Sequence, residues 1–347
     1  MKQRIHYIDI AKGILILLIV RYHLCFSDFP GWMKVDTLVR YIHVPVFFVI
    51  AGFFLKESSF SNLKNFYKRK INNLYIKSLP YFVCGVVFHN AYAQGRISIA
   101  YSSFTDYCKA FAKVFTATAY EPSVGPLWFA EALLWAFVAI PLIYNISNKS
   151  SSPNRQTLFI SFIIYIIVWY VTNKMEIDTL LRIQVGFSSI IFILCGKVYY
   201  QNIEEIKRFR NLWGALLSVF ILFFYTHIIQ YSASPIINIY PDPFAYLLTT
   251  LSAAYITLYV SRLIEKYKFT RIIELCGSYS FHIMAGHLLC IYAYVKILEQ
   301  FGIYHSLKIN QYVPNSWLDF FCMISVGATC PIILVKCLTR LKNRIKS

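Results

Sequence analysis

The sequence predicts an all-α fold, a polytopic bundle of about ten transmembrane helices with both termini in the cytoplasm. Hydrophobic residues occupy 58% of the 347 positions and charged residues only 14%, which leaves too few polar side chains to cover a soluble domain. Several apolar segments approach or exceed the ~18–20 residues that cross a bilayer. Lysine and arginine concentrate in alternate connecting segments, as expected when those segments lie in the cytoplasm.

Ten apolar segments define the predicted helices of one transmembrane domain that occupies residues 1–347. Their approximate bounds are 7–27, 38–55, 78–94, 126–147, 157–172, 185–200, 212–230, 244–260, 274–298 and 317–337. The first segment contains Lys12, Arg21 and His23, and no small-residue cleavage site follows it. We therefore expect a membrane helix here rather than a cleaved signal peptide.

Two regions depart from a simple hairpin pattern. The predicted helices 157–172 and 185–200 are short, which leaves a tilted or a partly re-entrant arrangement open. The connection 98–125 is long, and its amphipathic residues 104–119 predict a helix that lies in the outer interface.

The charge distribution predicts the orientation. The formal net charge is +18, and the predicted cytoplasmic segments hold most of the 34 lysines and arginines. Large clusters lie in 56–77, 197–211 and 261–273 and at the C-terminal end. Because this bias accounts for the net charge, and because no nucleic-acid-binding motif is present, we expect no nucleic acid partner.

The nine cysteines predict no special chemistry. None forms a CxxC motif, and most lie in apolar runs. Buried cysteine behaves as a small hydrophobic residue, so the sequence predicts neither a metal site nor a disulfide framework.

The first helix carries the most informative polar pattern, Lys12 followed eleven positions later by His23. Both lie on nearly the same helical face, about 16 Å apart along the axis. An imidazole in a membrane helix is costly unless it faces a partner or a watery cavity, and neutral histidine can act as a general base. Asp9 can pair with Lys12. The alternative for His23 is a structural, hydrogen-bonded histidine near the outer interface.

A second histidine, His43, stands two residues before Pro45 at the predicted outer start of the second helix. The short preceding connection predicts that His43 lies near His23. The alternative is an interfacial histidine beside a helix-starting proline. Gly52, in the same helix, predicts a close contact between helices.

Glu131 is a carboxylate within a hydrophobic run, just after the segment Gly125-Pro-Leu-Trp-Phe129. We expect it either to orient a histidine or to pair with Arg21, and a purely structural ion pair stays open. The ninth predicted helix adds His282 and His287, the latter about 20 Å from the cytoplasmic end by helical rise. These two histidines can line one cavity or be packed and hydrogen-bonded.

Lys68, Arg69 and Lys70 lie together in a predicted cytoplasmic segment. Such cations suit the phosphate groups of a nucleotide-bearing donor. Lipid headgroups and membrane topology are the alternative explanation for each of them.

These motifs together resemble those of the acyltransferase-3 family of integral membrane acyltransferases, with the fucose 4-O-acetylase-like branch as the closest in pattern. The family's basic residue, ten-residue spacing and histidine are similar to Lys12 and His23. The segments His43 to Gly52, Gly125 to Phe129 and Ser280 to His287 are similar to three further family motifs.

The resemblance extends from Ile5 to about Cys290, with departures. Lysine stands at position 12 where many members have arginine, Ala51 replaces a usual serine, Met284 replaces a common tyrosine, and Arg21 is atypical.

The resemblance implies transfer of an acyl group, usually acetyl, from cytoplasmic acyl-coenzyme A to a sugar hydroxyl. The implied acceptors are surface polysaccharides, peptidoglycan or lipid-linked glycans. Acetyl-coenzyme A is then a donor substrate, with no permanently bound cofactor and no metal. We expect a multi-pass protein of the bacterial cytoplasmic (inner) membrane that contacts acyl-coenzyme A, a glycan acceptor and the bilayer.

Within that hypothesis His23 is the catalytic base or, as an alternative, an acyl-carrying nucleophile. His43, Glu131 and His287 shape or polarise the reaction chamber. Lys12 and the cluster Lys68, Arg69 and Lys70 hold the donor.

Two other function classes stay open. A transporter or flippase of a lipid-linked glycan would also use intramembrane histidine and glutamate, but it tends to show repeated halves, which the sequence lacks. A glycan polymerase would favour a large outer loop with several arginines, whereas 95–125 holds only Arg96.

Overall fold

A computed structural model describes nine ranges of the chain. They are residues 5–24, 32–93, 100–115, 121–177, 182–201, 212–229, 233–305, 307–308 and 311–346. These ranges are mainly helical, with short 3₁₀ and π segments and a small hairpin in which β1 (Leu307–Lys308) pairs antiparallel with β2 (Gln311–Tyr312). The all-α prediction is confirmed.

Fourteen α-helices follow one another in the described ranges. They are α1 (His6–Tyr22), α2 (Trp32–Phe53), α3 (Leu63–Ile71), α4 (Leu79–Val87), α5 (His89–Ala93), α6 (Phe104–Phe115), α7 (Trp128–Ser147), α8 (Pro153–Asn173), α9 (Ile183–Gln201), α10 (Leu212–Phe223), α11 (Pro243–Ile264), α12 (Thr270–Ser278), α13 (Ser280–Gln300) and α14 (Trp317–Lys346). The 3₁₀ segments are Glu57–Ser61, Pro122–Leu127 and Pro235–Ile237, and the π segments are Asn72–Ile76 and Phe224–Ile228.

Six helices of the described chain are long and apolar enough to cross a membrane. They are Pro122–Ser147, Pro153–Asn173, Ile183–Gln201, Pro243–Ile264, Ser280–Gln300 and Trp317–Arg344. Two shorter apolar helices, Ile42–Phe53 and Leu212–Ile228, accompany them. The protein is therefore a multi-pass membrane protein.

Helix α2 begins at Trp32, six residues earlier than the sequence predicted. Pro45 consequently lies inside the helix and does not start it. A proline inside a transmembrane helix is tolerated because neighbouring groups satisfy the carbonyl that it leaves without a donor. His43 therefore sits in the middle of α2.

Two predicted helices are divided. The segment predicted as 274–298 is α12 followed by α13, with a break at Tyr279, whose φ and ψ are −103° and 14°. The Ser278 hydroxyl donates to the Glu274 carbonyl at 2.8 Å, a side-chain bond that bends helices. The segment predicted as 78–94 is α4 followed by α5, with a turn at Phe88.

The amphipathic helix predicted over 104–119 is observed as α6, which ends at Phe115, and its position in the outer interface stays a prediction. Residues 116–119 lie outside the described part of the chain. The short predicted helices 157–172 and 185–200 extend to Pro153–Asn173 and Ile183–Gln201, and both are long enough to cross a membrane.

Contacts along the chain divide it into two compact units. The first unit comprises Met1–Met33, Leu79–Leu127 and Ser261–Ser347. The second comprises Lys34–Ser78 and Trp128–Val260.

In the first unit α1 packs against α12 and α13, and α13 packs against α14. Two glycines make the α1–α12 approach possible. A side chain at Gly13 would collide with the Ile273 backbone, and one at Gly277 would collide with the Asp9 backbone. Small residues allow this close contact between membrane helices.

In the second unit α9 is the central helix, packed against α7 and α8. It also meets α2, where Gly52 lies against the Ile193 carbonyl and Gly196 against the Val49 carbonyl. The predicted close contact at Gly52 is confirmed.

Candidate active site

Two histidines meet in the first unit at the end of α1. His23 is the residue that caps α1, with φ and ψ of −83° and 6°. His287, in the middle of α13, has no solvent exposure. Their ring centroids are 5.1 Å apart, with an angle of 45° between the planes. The structure thus brings together two predicted site residues separated by most of the chain.

The protonation pattern of His287 follows from its neighbours. Its Nδ1 atom lies 2.8 Å from the Ile283 carbonyl oxygen and 3.1 Å from that of Met284. A carbonyl oxygen only accepts, so Nδ1 carries the hydrogen and, in the neutral ring, Nε2 holds a lone pair. Nε2 is buried and has no hydrogen-bond partner within the described ranges. It is an acceptor available to a donor that enters the site.

Small residues hold the two histidine-bearing helices against α14. Gly327 of α14 lies within close contact of Val20 in α1 and Ile291 in α13. Gly286, next to His287, faces Tyr81 and Pro331. Helix–helix contacts therefore fix the backbone on both sides of the pair.

Lys12 lies on α1, eleven residues before His23. Its ammonium group is 2.6 Å from the Asp9 carboxylate, so the predicted i,i+3 ion pair is present. Both side chains keep part of their solvent exposure, 21% and 15% respectively, which leaves the Lys12 charge accessible to a ligand.

The other histidine of α13 has a different environment. His282 is hydrogen-bonded through Nδ1 to the Tyr81 hydroxyl at 2.6 Å. It lies more than one turn from His287 along the helix, and the ring that meets His23 is that of His287.

His43 and Glu131 belong to the second unit. His43 is buried, and its Nδ1–H donates to the Val39 carbonyl oxygen at 2.5 Å. Glu131 lies in the first turn of α7, where the positive charge of Arg182 acts on it. Arg21 belongs to the first unit and is buried, so the suggested pairing of Glu131 with Arg21 stays a prediction.

A polar cavity of about 320 Å³ lies in the second unit at the start of α3. Two cations, three serines and two asparagines line it together with one aromatic ring. These residues are Lys56, Ser58, Ser59, Ser61, Asn62, Asn65, Phe66 and Arg69. Guanidinium and ammonium groups beside hydroxyl and amide donors suit a phosphate.

The three predicted donor-binding cations have different positions. Arg69 lines the cavity, and Lys68 is exposed. Lys70 turns away, with its ammonium nitrogen 3.2 Å from the centroid of the Phe137 ring. Burial, together with the neighbouring Arg69 charge, lowers the pKa of Lys70 to about 8. Of the three, Arg69 is the cation that lines this cavity.

Two acid–histidine pairs of the first unit, each with a buried histidine, were not predicted. His89 donates from Nδ1 to Glu121 at 2.5 Å, and the Tyr101 hydroxyl donates to the other carboxylate oxygen at 2.5 Å. His305 donates from Nε2 to Asp319 at 2.7 Å. In each pair the sequence places the histidine and the acid on the predicted outer side of the membrane, and this was the available indication that they could pair.

Metal ligands do not converge in the described residues. No group of three His, Cys, Asp or Glu side chains there is arranged to hold a metal ion.

A family model described as an acyltransferase domain matches residues 5–336. No curated protein and no solved structure matches the chain significantly. The family match includes every candidate residue described above, from Lys12 to His287. The chain therefore belongs to the acyltransferase-3 family and is a membrane acyltransferase.

Proposed function

We propose that the protein is an O-acyltransferase that moves an acetyl or other short acyl group from acyl-coenzyme A to a hydroxyl of a surface polysaccharide or lipid-linked glycan. The observation that carries the proposal is the contact between the His23 and His287 rings at 5.1 Å. Membership of the acyltransferase-3 family supports group transfer over transport. The fucose 4-O-acetylase-like motifs favour a sugar acceptor.

In the proposed reaction His23 is the general base. It removes the proton from the acceptor hydroxyl while the oxygen attacks the thioester carbonyl. The tetrahedral intermediate collapses, the carbon–sulfur bond breaks, and the coenzyme A thiolate takes the proton back from His23. The products are an ester and free coenzyme A, with no other reactant required.

His287 supports this role through its acceptor nitrogen. In this proposal the His23 ring rotates so that the single N–H of its neutral form donates to Nε2 of His287, whose Nδ1–H is already held by backbone carbonyls. That bond fixes the tautomer of His23, so that its other nitrogen faces the hydroxyl of the glycan. The same bond stabilises the imidazolium that His23 forms during transfer. Orienting a base by a neighbouring acceptor follows the logic of the catalytic triad.

In this proposal cationic side chains bind the acyl donor, acyl-coenzyme A. Arg69 and Lys56, with the serines of their cavity, suit the phosphates of coenzyme A, and Lys12 adds a further positive charge on α1. His43 and Glu131 are proposed to shape or polarise the chamber. A hydrogen-bond donor that stabilises the oxyanion of the tetrahedral intermediate lowers the activation free energy by about 3–4 kcal/mol.

The proposed location is the bacterial inner membrane, with the donor on the cytoplasmic side. The outward placement that the sequence predicts for His23 and His43 favours a glycan acceptor on the opposite side.

The test uses purified protein in lipid nanodiscs with radiolabelled acetyl-coenzyme A and glycan from a deletion strain. We expect label in the glycan with the native chain and none with His23→Ala at equal protein level. His227→Ala, a half-buried histidine of the second unit, serves as the control and keeps activity. Near-normal transfer by His23→Ala would remove this histidine from the mechanism.

The same experiment separates transfer from transport. A flippase of a lipid-linked glycan would move its substrate across the bilayer without consuming the thioester. Absence of both donor hydrolysis and label transfer, with glycan translocation retained, would contradict the proposed function.

A further inference from the structure

Asp319, in the first turn of α14, collects three hydrogen bonds. It accepts from His305 Nε2 at 2.7 Å, from the Tyr294 hydroxyl at 3.0 Å and from the Asn315 backbone N–H at 2.8 Å. His305 is buried. Because hydrogen bonds to a carboxylate are about twice as strong as neutral ones, this group is a firm local anchor.

Two of these donors lie at either side of the small hairpin. His305 precedes β1, and Asn315 follows β2. Each strand has two residues, and an isolated two-stranded hairpin is at best marginally stable in water. Its position in the fold therefore depends on anchors outside it, and Asp319 ties both of its ends to α14.

The hairpin in turn contacts the end of α1. The backbone N–H of Tyr312 donates to the carbonyl oxygen of His23 at 3.0 Å, and Leu24 forms a parallel bridge with Tyr312. Carbonyl groups at a helix C-terminus have no donor within the helix. The backbone N–H of Tyr312, a residue that is 1% exposed, supplies that donor to the backbone carbonyl of His23, the candidate base.

We propose that Asp319 is a positioning residue for His23. The anchor formed by Asp319 with His305 holds the hairpin, the Tyr312 amide holds the His23 carbonyl, and the His23 ring is thereby kept against His287. The inference rests on the proposed function of His23 as the base. A misplacement of about 1 Å by a remote change can cost about 100-fold in rate.

The experiment compares two matched pairs of variants in nanodiscs. Asp319→Asn removes the charge and one acceptor, and Glu299→Gln is its control, because Glu299 lies near the end of α13 and pairs with Lys296. His305→Leu removes the donor to Asp319, and His305→Gln is the conservative partner that keeps an N–H donor.

We expect Asp319→Asn and His305→Leu to lower kcat at least tenfold, with the KM for acetyl-coenzyme A within twofold of native. His305→Gln should keep most of the native kcat, and the kcat of Glu299→Gln should equal that of the native protein. A second readout does not depend on activity: the rate at which diethylpyrocarbonate modifies His23, followed by mass spectrometry, should rise at least threefold in the two damaged variants only.

A lower melting temperature with native kcat and native His23 modification would show a purely structural role and would overturn the proposal. Equal effects of His305→Leu and His305→Gln would overturn it too. The radiolabel assay on His23→Ala tests the proposed function separately: if His23 is not the base, this variant retains acetyl transfer. In that event the modification rate of His23 in Asp319→Asn still decides whether the anchor positions this ring.

Discussion

At the scale of single residues, His287 has an unusual environment. Its Nδ1–H is satisfied by backbone carbonyls, whereas Nε2 is buried and lacks a hydrogen-bond partner in the described chain. A buried acceptor left in that state costs about 1–3 kcal/mol. Residues that break a local rule at such a cost concentrate at functional sites. The stability lost at His287 and its proposed part in catalysis therefore have the same cause, the available lone pair.

Replacing His287 with leucine tests that link. The substitution removes the unsatisfied acceptor and keeps a side chain of comparable bulk. We expect the melting temperature of the solubilised protein to stay level or rise, while the rate of acetyl transfer falls about 100-fold or more, the size of a general acid–base contribution. Thermal unfolding and the radiolabel assay on one preparation measure both quantities.

His282→Leu is the matched comparison on the same helix. The substitution removes the hydrogen bond between His282 and the Tyr81 hydroxyl, so we expect it to lower the melting temperature. A large loss of stability in His287→Leu, or near-native transfer by it, would contradict the assignment.

The sequence allowed the candidate residues to be found but not most of their partners. His23 and His287 stand out because a titratable group is conspicuous in an apolar run. The pairs His89–Glu121 and His305–Asp319 do not, because their members belong to different segments and lie 32 and 14 residues apart. Sequence spacing carries no information on distances between segments, so only the folded chain reveals these pairs.

At the scale of elements, glycines decide how closely helices approach. Gly277 of α12 lies directly against the backbone of Asp9 in α1, on the helix that carries Lys12 and His23. The helix positions were predictable from hydropathy, but this crossing was not, because it depends on which faces of two distant segments meet. The break at Tyr279 was missed for a related reason: the apolar pattern continues through it.

We expect Gly277→Ala to push α12 away from α1. Overpacking of a tight contact costs about 1–3 kcal/mol, so the variant should melt at a lower temperature and accumulate less in the membrane. Gly125→Ala is the control, because a methyl group there meets nothing within 4 Å. Thermal unfolding of both proteins decides the matter, and equal melting temperatures would argue against a close α1–α12 contact.

Helix α3 offers a second comparison, between two adjacent cations. Arg69 lines the polar cavity, whereas Lys70 lies over the Phe137 ring. We expect Arg69→Gln to raise the KM for acetyl-coenzyme A about tenfold, because the loss of one charge-assisted contact is worth roughly 1.5–3 kcal/mol. Lys70→Gln should leave that KM within twofold of native.

Steady-state kinetics at saturating acceptor measure both values. The opposite ranking, with Lys70→Gln the more damaging to donor binding, would exclude the cavity as the phosphate site. Equal and small effects would assign the cations of α3 to lipid headgroups instead.

At the scale of the whole molecule, the bilayer explains why the fold class was predictable. Without water in the hydrocarbon core, every backbone polar group of a spanning segment must be satisfied internally, and helices do this within one segment. Composition alone therefore predicts the class, and the six helices within the described ranges that are long enough to span agree with it. The predicted orientation rests on a different property, the uneven distribution of 34 lysines and arginines, which outnumber the 16 acidic residues.

The charge bias leads to a prediction about sidedness. The segment around Ser58, with Lys56 and Arg69 in the same cavity, belongs to the predicted cytoplasmic side, and Ser103, just before α6, belongs to the predicted outer side. We expect a membrane-impermeant maleimide added to intact cells without an outer membrane to label Ser103→Cys and not Ser58→Cys. The native cysteines are replaced by alanine in both variants, since Cys84, Cys108 and Cys337 are exposed.

Permeabilised cells provide the control, because both introduced cysteines should then react. If Ser58→Cys reacts in intact cells and Ser103→Cys does not, the orientation is reversed. The polar cavity would then face away from the cytoplasmic pool of coenzyme A, and Arg69 would lose its assigned ligand. The observed pattern of labelling thus tests the topology and the donor assignment together, because a nucleotide-bearing donor can bind only on the side where it is made.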